Sequence, residues 1–450
     1  MITAAQENAR MLASILGIEE DDASERLNRR VLITSSPDKA EAAWAAEIGA
    51  LLGRTVSLAT SHTEPSQLEL VIGDAAPRTA LPRLHASIDA DGATVAFRPT
   101  VSVPSPPHPL FAAVAACPVA AAALRMVIDD PRLPPVTYPL TIDFAQLGVP
   151  AHALSTTVDL SDAVLVGAGA IGHGFVRALR HVPARGRLRI LDPKLVGAGN
   201  PNRCLYLENE DVGREKAVAL AERAAGDFGE LVIEPLIMEF SKFAKKSGPP
   251  ATAIVAVDSR RARRSIQKEL PGRIIDASTT DVRRVVVHSH RQPTQHACLA
   301  CIYKHVPDEH AREQSIADGL GIELEAVKEG YISAQVAARI HVAHRDVDPE
   351  RIVGSAYDSL FKQLCAAQAL LTPEGRQVLA PFAFVSSLAG ALLVIELLRS
   401  NNSVASSNYW SVDPWGAPIG KLRRLRPRDP ECEFCTRLES DTAAKQLWGS

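Results

Sequence analysis

The feature that most constrains this 450-residue chain is the glycine-rich segment GAGAIG, which contains Gly167, Gly169 and Gly172. It follows the apolar run DAVLV, which predicts a buried strand, and it precedes HGFVRALRHV, which predicts a helix. Glycines here allow a tight turn and let backbone N–H groups at a helix N-terminus approach a phosphate. Asp192 ends the next predicted strand, where a carboxylate can hold ribose hydroxyls. The segment predicts an adenine nucleotide on a Rossmann-like sheet. A glycine turn without a ligand and a dehydrogenase are both open at this point.

Patterns of strands and helices divide the chain into four segments. Residues 1–135 alternate strands with helices but have no glycine loop after the first strand. Residues 150–301 alternate more regularly, which predicts a parallel sheet with helices on both faces. Residues 302–378 are more polar and predict a helical insertion, whereas residues 379–450 return to one apolar helix, one strand and a basic end that contains cysteines. The predicted fold class is α/β.

Composition argues against some classes of function. Lys and Arg number 49 and Asp and Glu number 52, so the net charge of −3 argues against a nucleic-acid-binding protein. The N-terminal residues contain no apolar run typical of a signal peptide, and we expect a cytoplasmic protein. The apolar run 379–398 is long enough to span a bilayer, but it contains Pro381 and Glu396, which favours a buried core helix. We therefore expect neither a nucleic-acid partner nor a membrane partner.

Four of the seven cysteines form two CxxC pairs. Cys298 and Cys301 make the first pair, and Cys432 and Cys435 make the second pair about 130 residues later. An odd number of cysteines at low density argues against a disulfide scaffold. Two such pairs can converge on one Zn²⁺ and give a closed tetrahedral site of the structural kind. Reduced buried thiols and a redox pair are the alternatives.

The charged and polar residues after the glycine loop follow an ordered pattern. They are Asp192, Asn200-Pro-Asn-Arg203, Gly213-Arg-Glu-Lys216 and Asp258 through Arg263. A dehydrogenase has no need of an asparagine, an arginine and a lysine below its nucleotide, whereas an adenylating enzyme must neutralise a triphosphate. In this order the sequence resembles the ThiF/MoeB/HesA family, which includes the eukaryotic ubiquitin-activating enzymes. The resemblance covers residues 155–300 and 379–436 well and the rest weakly.

The resemblance implies a role for each of these residues. Arg203 and Lys216 would neutralise charge at the triphosphate, and Asp258 would hold Mg²⁺. Asn200 would join Asp192 and the glycine loop in binding ATP. The family also has a zinc-binding cysteine pair at each of the two CxxC positions. This chain departs from the family pattern with Lys194 in place of a second acid, Cys204 in place of a glutamine and Ser259 in place of an asparagine.

Two further site residues follow from the resemblance. In thioester-forming members the nucleophilic cysteine precedes a helix similar to APFAFVSSLAG, so Cys365 is the candidate nucleophile. A buried cysteine in an amphipathic helix is the alternative at this position, and Cys204 is the competing nucleophile. The family also sends an arginine from the first helix of a partner domain into the ATP site. Arg10 resembles that residue, with a surface arginine as the alternative.

We interpret the chain as a relative of ubiquitin-activating enzymes, most similar to those of bacterial ubiquitin-like conjugation operons, some of which act in anti-phage defence. Residues 1–135 would be an inactive adenylation-like domain, and a homodimer stays open. The resemblance implies adenylation of a ubiquitin-like protein with Mg·ATP, a thioester on Cys365 and transfer to a conjugating enzyme. The nearest alternative is an adenylyltransferase for a sulfur-carrier protein or a peptide, without the thioester. A scaffold without catalysis is disfavoured because Arg203, Lys216 and Asp258 occur together.

Overall fold

The computed structural model describes most of the chain, and the chain folds into two β-sheets with helices packed on them. The described residues are 3–100, 105–280, 282–304, 309–328, 332–353, 357, 360–361, 364, 382–400, 407–416 and 423–449. The helices are α1 (Ala4–Leu16), α2 (Glu20–Leu27), α3 (Lys39–Leu52), α4 (Pro109–Ile128), α5 (Ala151–Ser155), α6 (Ala170–Leu179), α7 (Lys216–Ala224), α8 (Phe240–Ser247), α9 (Arg260–Lys268), α10 (Leu299–Ile302), α11 (Glu309–Leu320), α12 (Leu324–Lys328), α13 (Ala334–Ala343), α14 (Pro349–Ile352), α15 (Ala383–Ser400) and α16 (Leu438–Trp448). The strands are β1 (Arg30–Ser35), β2 (Ser57–Leu58), β3 (Leu68–Ile72), β4 (Arg83–Ile88), β5 (Gly92–Ala96), β6 (Leu140–Asp143), β7 (Val158–Asp159), β8 (Ala163–Val166), β9 (Ala184–Leu191), β10 (Glu230–Leu236), β11 (Thr252–Val255), β12 (Arg273–Thr280), β13 (Arg284–Arg291), β14 (Tyr409–Val412) and β15 (Arg423–Arg424).

The first sheet has the strand order β2-β1-β3-β4-β5-β6. Strands β2, β1, β3 and β4 are parallel, whereas β5 and β6 add to them antiparallel. The turn before Gly92 joins β4 to β5 as a hairpin, because the Asp89 carboxylate accepts hydrogen bonds from the N–H groups of Asp91 and Gly92. Strand β6 lies beyond residue 135, so this sheet continues past the boundary expected from the sequence.

The second sheet has the order β10-β9-β8-β11-β12-β13-β14-β15, with β7 also paired to β9. Strands β10, β9, β8, β11 and β12 are parallel, and β13, β14 and β15 add antiparallel. This is the Rossmann-like α/β architecture predicted for residues 150–301, but the sheet is mixed rather than wholly parallel. Only three residues separate β12 from β13. So short a connection permits a hairpin and excludes a parallel crossover.

Helix α15 forms the centre of the core and contacts α4, α6, β12 and β13. Every side chain from Phe382 to Leu398 is buried. A Cβ added at Gly390 would lie 2.2 Å from the carbonyl carbon of Gly174 in α6, so the two helices pack backbone against backbone. Buried Glu396 accepts a hydrogen bond from the Ser289 hydroxyl at 2.6 Å. The described part of the apolar run is therefore the buried core helix that the sequence predicts.

One described helix, α4, is long and apolar enough to cross a membrane by length and composition. Of its most apolar 18-residue window, 83% is buried inside the protein. Helix α4 packs against α3, α15 and the first sheet. Its apolar character is accounted for by these contacts in the core.

Candidate nucleotide site and four-cysteine cluster

The carboxyl edge of the second sheet has the topology of a nucleotide-binding crevice. Strands β9 and β10 lie on one side of β8, and β11 and β12 lie on the other side. The direction of strand addition therefore reverses between β8 and β11, and in open α/β sheets ligands bind at such switch points, outside the carboxyl ends of the strands. The glycine loop follows β8 directly and leads into α6.

The glycine loop has two positions that admit only glycine. Gly167 has a φ of +103°, and an added Cβ would lie 2.8 Å from the Ala256 carbonyl oxygen. An added Cβ at Gly172 would lie 2.2 Å from the Gly167 carbonyl oxygen. Gly169 differs, because it caps α6 without a side-chain hydrogen bond and its added Cβ would meet nothing within 4 Å. The space beside Gly169 is therefore open at the N-terminus of α6, where an anion could approach.

Two of the predicted nucleotide residues brace the backbone of the site. The Asp192 carboxylate is 7% exposed and accepts hydrogen bonds at 2.8 Å from the N–H groups of Ala168 and Lys194. It therefore ties the glycine loop to the end of β9. Asn200 Oδ1 accepts a hydrogen bond from the Gly197 N–H at 2.9 Å and shapes the loop before Arg203. Their contacts with a nucleotide stay predictions.

Lys216 and Arg203 bring positive charge to the same edge of the sheet. Lys216 begins α7, and its N–H donates to the Lys194 carbonyl oxygen at 2.9 Å. Burial lowers the pKa of the Lys216 ammonium group, and the nearby Asp192 carboxylate offsets part of that effect. Arg203 Nη1 donates to Asn202 Oδ1 at 2.7 Å. The start of α7 therefore fixes the position of Lys216, and the loop after Asn200 fixes that of Arg203. The sequence pattern predicts both residues at these positions.

Asp258 lies just beyond β11, on the other side of the glycine loop. Its side chain is 56% exposed, and its Oδ2 lies 3.5 Å from Lys194 Nζ. Ser259 caps α9 by accepting a hydrogen bond from the Ala262 N–H at 3.3 Å. An accessible carboxylate beside a phosphate site fits Mg²⁺, which takes one or two carboxylates together with phosphate oxygens.

Arg263, the last residue of the sequence pattern, is buried and has a structural role. Its Nε donates to Asp276 Oδ1 at 2.7 Å and its Nη2 donates to the Ala277 carbonyl oxygen at 3.0 Å. The guanidinium group also lies 4.6 Å from the ring centre of Tyr303, whose hydroxyl donates to Asp276. These contacts fix α9 against β12 and so position the N-terminal end of α9, where Asp258 lies.

Helix α1 of the first sheet's domain packs on the loop that carries Arg203. Glu7 Oε1 lies 3.6 Å from Arg203 Nη1, and Asn202 Nδ2 donates to Asn8 Oδ1 at 3.0 Å. Arg10 forms an ion pair of 3.2 Å with Glu20 of α2. The entry of Arg10 into an ATP site stays a prediction, and the residue of α1 that lies beside Arg203 is Glu7. No local sequence pattern distinguishes Glu7 from any other surface acid.

The carboxyl edge of the first sheet is closed by the chain's own carboxylates. Strand β1 leads into α3 as β8 leads into α6, but without a glycine loop. Asp38 accepts hydrogen bonds from the N–H groups of Ala40 and Glu41 at 2.9 and 3.0 Å. The Glu41 carboxylate bonds to Ser36 and fills the space in which an added Cβ of Gly73 would lie. Two acids at this helix N-terminus would repel a phosphate, so this edge is unsuited to a nucleotide.

Models of two known protein families match different parts of the chain. Residues 1–150 match the model of the E1 N-terminal domain, and residues 145–434 match the model of the ThiF family. The second match covers more than half of the chain. The chain belongs to the ThiF family.

Two kinds of relatives accompany the family match. The uncharacterized protein y4jF of Sinorhizobium fredii is 28% identical over 270 residues, which is 55% of this chain and 50% of y4jF. The chain thus spans about half the length of that curated relative. Solved structures of E. coli MccB, one with ATP and one with MccA-N7isoASN, each match at a TM-score of 0.38 and 15% identity. Each match covers 65% of this chain, and the matches cover 68% and 70% of the respective MccB chains.

The four cysteines of the two CxxC motifs lie in one buried cluster. Their Sγ atoms all lie within 4.8 Å of one another. Neighbouring Sγ atoms lie 3.4 to 3.7 Å apart, as Cys298–Cys301, Cys298–Cys432 and Cys301–Cys435. A tetrahedral site with Zn–S bonds of about 2.3 Å places its sulfurs about 3.8 Å apart. The convergence predicted from the spacing is confirmed, and the cluster has the donor set and size that Zn²⁺ requires.

Contacts around the cluster tie the C-terminal tail to the second sheet. Cys298 caps α10, which follows β13, and the other CxxC pair precedes α16. The Asp429 N–H donates to Cys301 Sγ at 3.4 Å, and the Asp429 carboxylate pairs with Lys304. Hydrogen bonds to ligand atoms orient them for a metal. A zinc ion here would cross-link the chain across the insertion that follows α10.

The remaining cysteines differ in what the structure says about them. Cys204 is 1% exposed and packs among Val196, Leu207 and Ala219, and burial raises the pKa of its thiol. Both properties are unfavourable for a nucleophile, which must ionise and reach its substrate. Cys117 is likewise buried in α4, and burial raises its pKa. Cys365 lies outside the described residues, so its assignment as the nucleophile stays a prediction.

Proposed function

We propose that this chain activates the C-terminal carboxylate of a ubiquitin-like protein by adenylating it with Mg·ATP. One observation carries the proposal. In a ThiF-family chain, Lys216 lies near Asp192 and Asp258, and Arg203 lies near the same cluster of charges, at the edge of the sheet where a glycine loop opens α6. Positive charge and an accessible carboxylate around a helix N-terminus suit a magnesium nucleotide triphosphate.

In the proposed reaction an oxygen of the substrate carboxylate attacks the α-phosphorus of ATP. The bond from the α-phosphorus to the bridging oxygen breaks, and pyrophosphate leaves with that electron pair. Backbone N–H groups of the glycine loop would bind phosphate oxygens, while Lys216 and Arg203 would stabilise the charge that develops on them. Asp258 would hold Mg²⁺, which supplies further neutralisation of the phosphates when bound. Asp192 would hold the ribose hydroxyls.

The second proposed step forms a thioester. The Cys365 thiol loses its proton, and the thiolate attacks the acyl carbon of the adenylate, which releases AMP. The acyl group then passes to a cysteine of a conjugating enzyme. Three cysteines lie outside the two CxxC motifs, and Cys204 is the one that competes with Cys365 as the nucleophile. The burial of Cys204 and the raised pKa of its thiol make it unsuitable, which supports Cys365. The reaction needs ATP and reduced thiols, so we place it in the cytoplasm. A role in anti-phage defence rests on analogy with bacterial ubiquitin-like conjugation operons.

The nucleophile assignment predicts which variant loses a thioester. With Mg·ATP and the ubiquitin-like protein encoded nearest to the gene, the wild-type chain should gain a thiol-labile adduct in its intact mass. Cys365→Ala should lose the adduct and still release pyrophosphate, because the thiol acts after adenylation. The matched variants Cys117→Ala and Cys204→Ala each remove one cysteine outside the CxxC motifs, and both should retain the adduct.

Other outcomes would point elsewhere. An adduct that survives in Cys365→Ala and disappears in Cys204→Ala would show that the nucleophile is misassigned while adenylation stands. Pyrophosphate release with no adduct on any variant would favour the alternative, an adenylyltransferase for a sulfur-carrier protein or a peptide.

The contact between Glu7 and Arg203 predicts that the first domain restrains ATP binding. The Glu7 carboxylate competes with a phosphate for the charge of that arginine. Glu7→Gln should therefore bind ATP about fivefold more tightly, because an ion pair of this kind is worth up to about 1 kcal/mol. Calorimetric titration measures the effect. The control Glu25→Gln makes the same charge change at an exposed position in α2 and should leave the affinity unchanged. Weaker binding by Glu7→Gln would mean that Glu7 orients Arg203 rather than competing for it.

A further inference from the structure

An ion pair joins the two segments that follow the neighbours of β8 in the sheet. Strand β8 lies between β9 and β11 in the sheet. Lys194 follows β9 and Asp258 follows β11, and their Nζ and Oδ2 atoms lie 3.5 Å apart. The pair therefore spans the carboxyl end of β8, where the loop opens α6. The ammonium group of Lys194 therefore lies at the carboxyl edge of the sheet, on which the phosphates of a nucleotide are proposed to bind.

The backbone of Lys194 is fixed at this place by two of the predicted nucleotide residues. Its N–H donates to Asp192 Oδ1 at 2.8 Å, and its carbonyl oxygen accepts the Lys216 N–H at 2.9 Å. The Lys194 side chain is 26% exposed, compared with 56% for Asp258. The lysine is thus held close to the sheet, whereas its acidic partner is turned more toward solvent.

Charge at this position matters for a polyanion. Two residues after Asp192 this chain has a lysine, which carries a positive charge. Lys194 is also close enough to Lys216 for its charge to lower the pKa of that ammonium group. The repulsion between two ammonium groups is reduced when negatively charged phosphate oxygens bind between them. The exposed carboxylate of Asp258 is a partner that Lys194 can exchange at little cost, because surface ion pairs are weak.

We propose that Lys194 is a phosphate-binding residue of this site, and that nucleotide phosphate replaces Asp258 as the partner of its ammonium group. The inference rests on the proposed function, because it assumes that ATP is the ligand. Lys194 would add a third cation to Arg203 and Lys216, and it would do so without a metal ion. Binding of the phosphates would also release the Asp258 carboxylate.

The test compares nucleotide binding without divalent metal. Wild type, Lys194→Met and the control Lys445→Met are titrated with ATP and with adenosine in EDTA by calorimetry. The control also removes an ammonium group paired with a carboxylate, at 2.6 Å from Asp441 on α16, remote from the site. Lys194→Met should bind ATP about tenfold more weakly, because a hydrogen bond between charged groups is lost. Its adenosine affinity should not change, and Lys445→Met should bind both ligands as wild type does.

Each contrary result overturns a different claim. Unchanged metal-free ATP affinity in Lys194→Met would overturn the inference and leave the proposed function intact. An equal loss of ATP and adenosine binding would show that the variant distorts the crevice, and it would also overturn a specific phosphate contact. Failure of the wild-type protein to bind ATP, with or without Mg²⁺, would overturn the proposed function and the inference together.

Discussion

Lys216→Met is expected to slow ATP–pyrophosphate exchange by about 10²–10³-fold, the cost typical of removing one preorganised donor from developing charge. Methionine keeps the length of the side chain and removes its charge. The Lys216 ammonium group is partly withdrawn from water beside Asp192, and charges act more strongly where water is excluded. The exchange is measured with the ubiquitin-like protein encoded nearest to the gene as substrate.

This substitution should not unfold the protein, which makes the kinetic result interpretable. The pKa of Lys216 is lowered in the folded chain, so folding disfavours the protonated form. At pH values below the folded pKa the protonated lysine therefore costs stability, and this cost falls as the pH rises from the folded pKa towards the ordinary pKa of a lysine. Lys216→Met should retain or raise the melting temperature. Lys245→Met, at an exposed position in α8, is the matched control and should leave exchange unchanged. Wild-type exchange by Lys216→Met would contradict the role assigned to this lysine.

Cys432→Ser is expected to abolish stoichiometric zinc and to destabilise the C-terminal region by about 5 kcal/mol or more. The loss is large because the metal would link the C-terminal tail to the loop after β13. It is comparable to the whole free energy of unfolding of a domain, which is about 5–15 kcal/mol. Elemental analysis of the purified protein gives the zinc content, and hydrogen exchange over α10 and α16 gives the local stability.

A buried cysteine outside the cluster provides the control for that experiment. Cys117→Ser changes the same atoms in the core of α4, where the thiol donates weakly to the Ala113 carbonyl oxygen. It should retain one zinc per chain and the exchange protection of α16. The opposite outcome is a purified wild-type protein that contains no zinc and shows the same hydrogen-exchange protection of α16 as Cys432→Ser. That result would contradict a zinc site and would mean that the cluster is a packed group of thiols.

Much of the candidate site could be predicted because its signals are local. The GAGAIG segment needs glycine where Gly167 has a positive φ and where Gly172 touches the preceding backbone. Each CxxC pair places two thiols on one short turn, so two pairs predict a four-sulfur cluster that the structure forms. Asp192 could be located because it ends a strand that follows the loop by one helix.

The remaining features depend on contacts between distant parts of the chain. Strand β10, with Glu230 and Glu234 among apolar residues at the sheet edge, has no clean alternation that predicts it. The approach of Glu7 to Arg203 joins residues of two domains and leaves no trace in either local sequence. The sequence predicts β13 as a strand but places it in a parallel sheet, although the three-residue connection to β12 excludes a parallel crossover. Lys194 could be noticed as a departure from the family pattern, but its partner Asp258 could not be inferred from spacing alone.

The most direct test of the central claim is the identity of the nucleotide products. Wild-type protein is incubated with Mg·ATP and the ubiquitin-like protein encoded nearest to the gene, and the products are separated by anion-exchange chromatography. Attack at the α-phosphorus predicts substrate-dependent pyrophosphate, with the adenylate moiety attached to the substrate or released as AMP. Substrate-dependent ADP and inorganic phosphate would place the reaction at the γ-phosphorus and would contradict the adenylation mechanism.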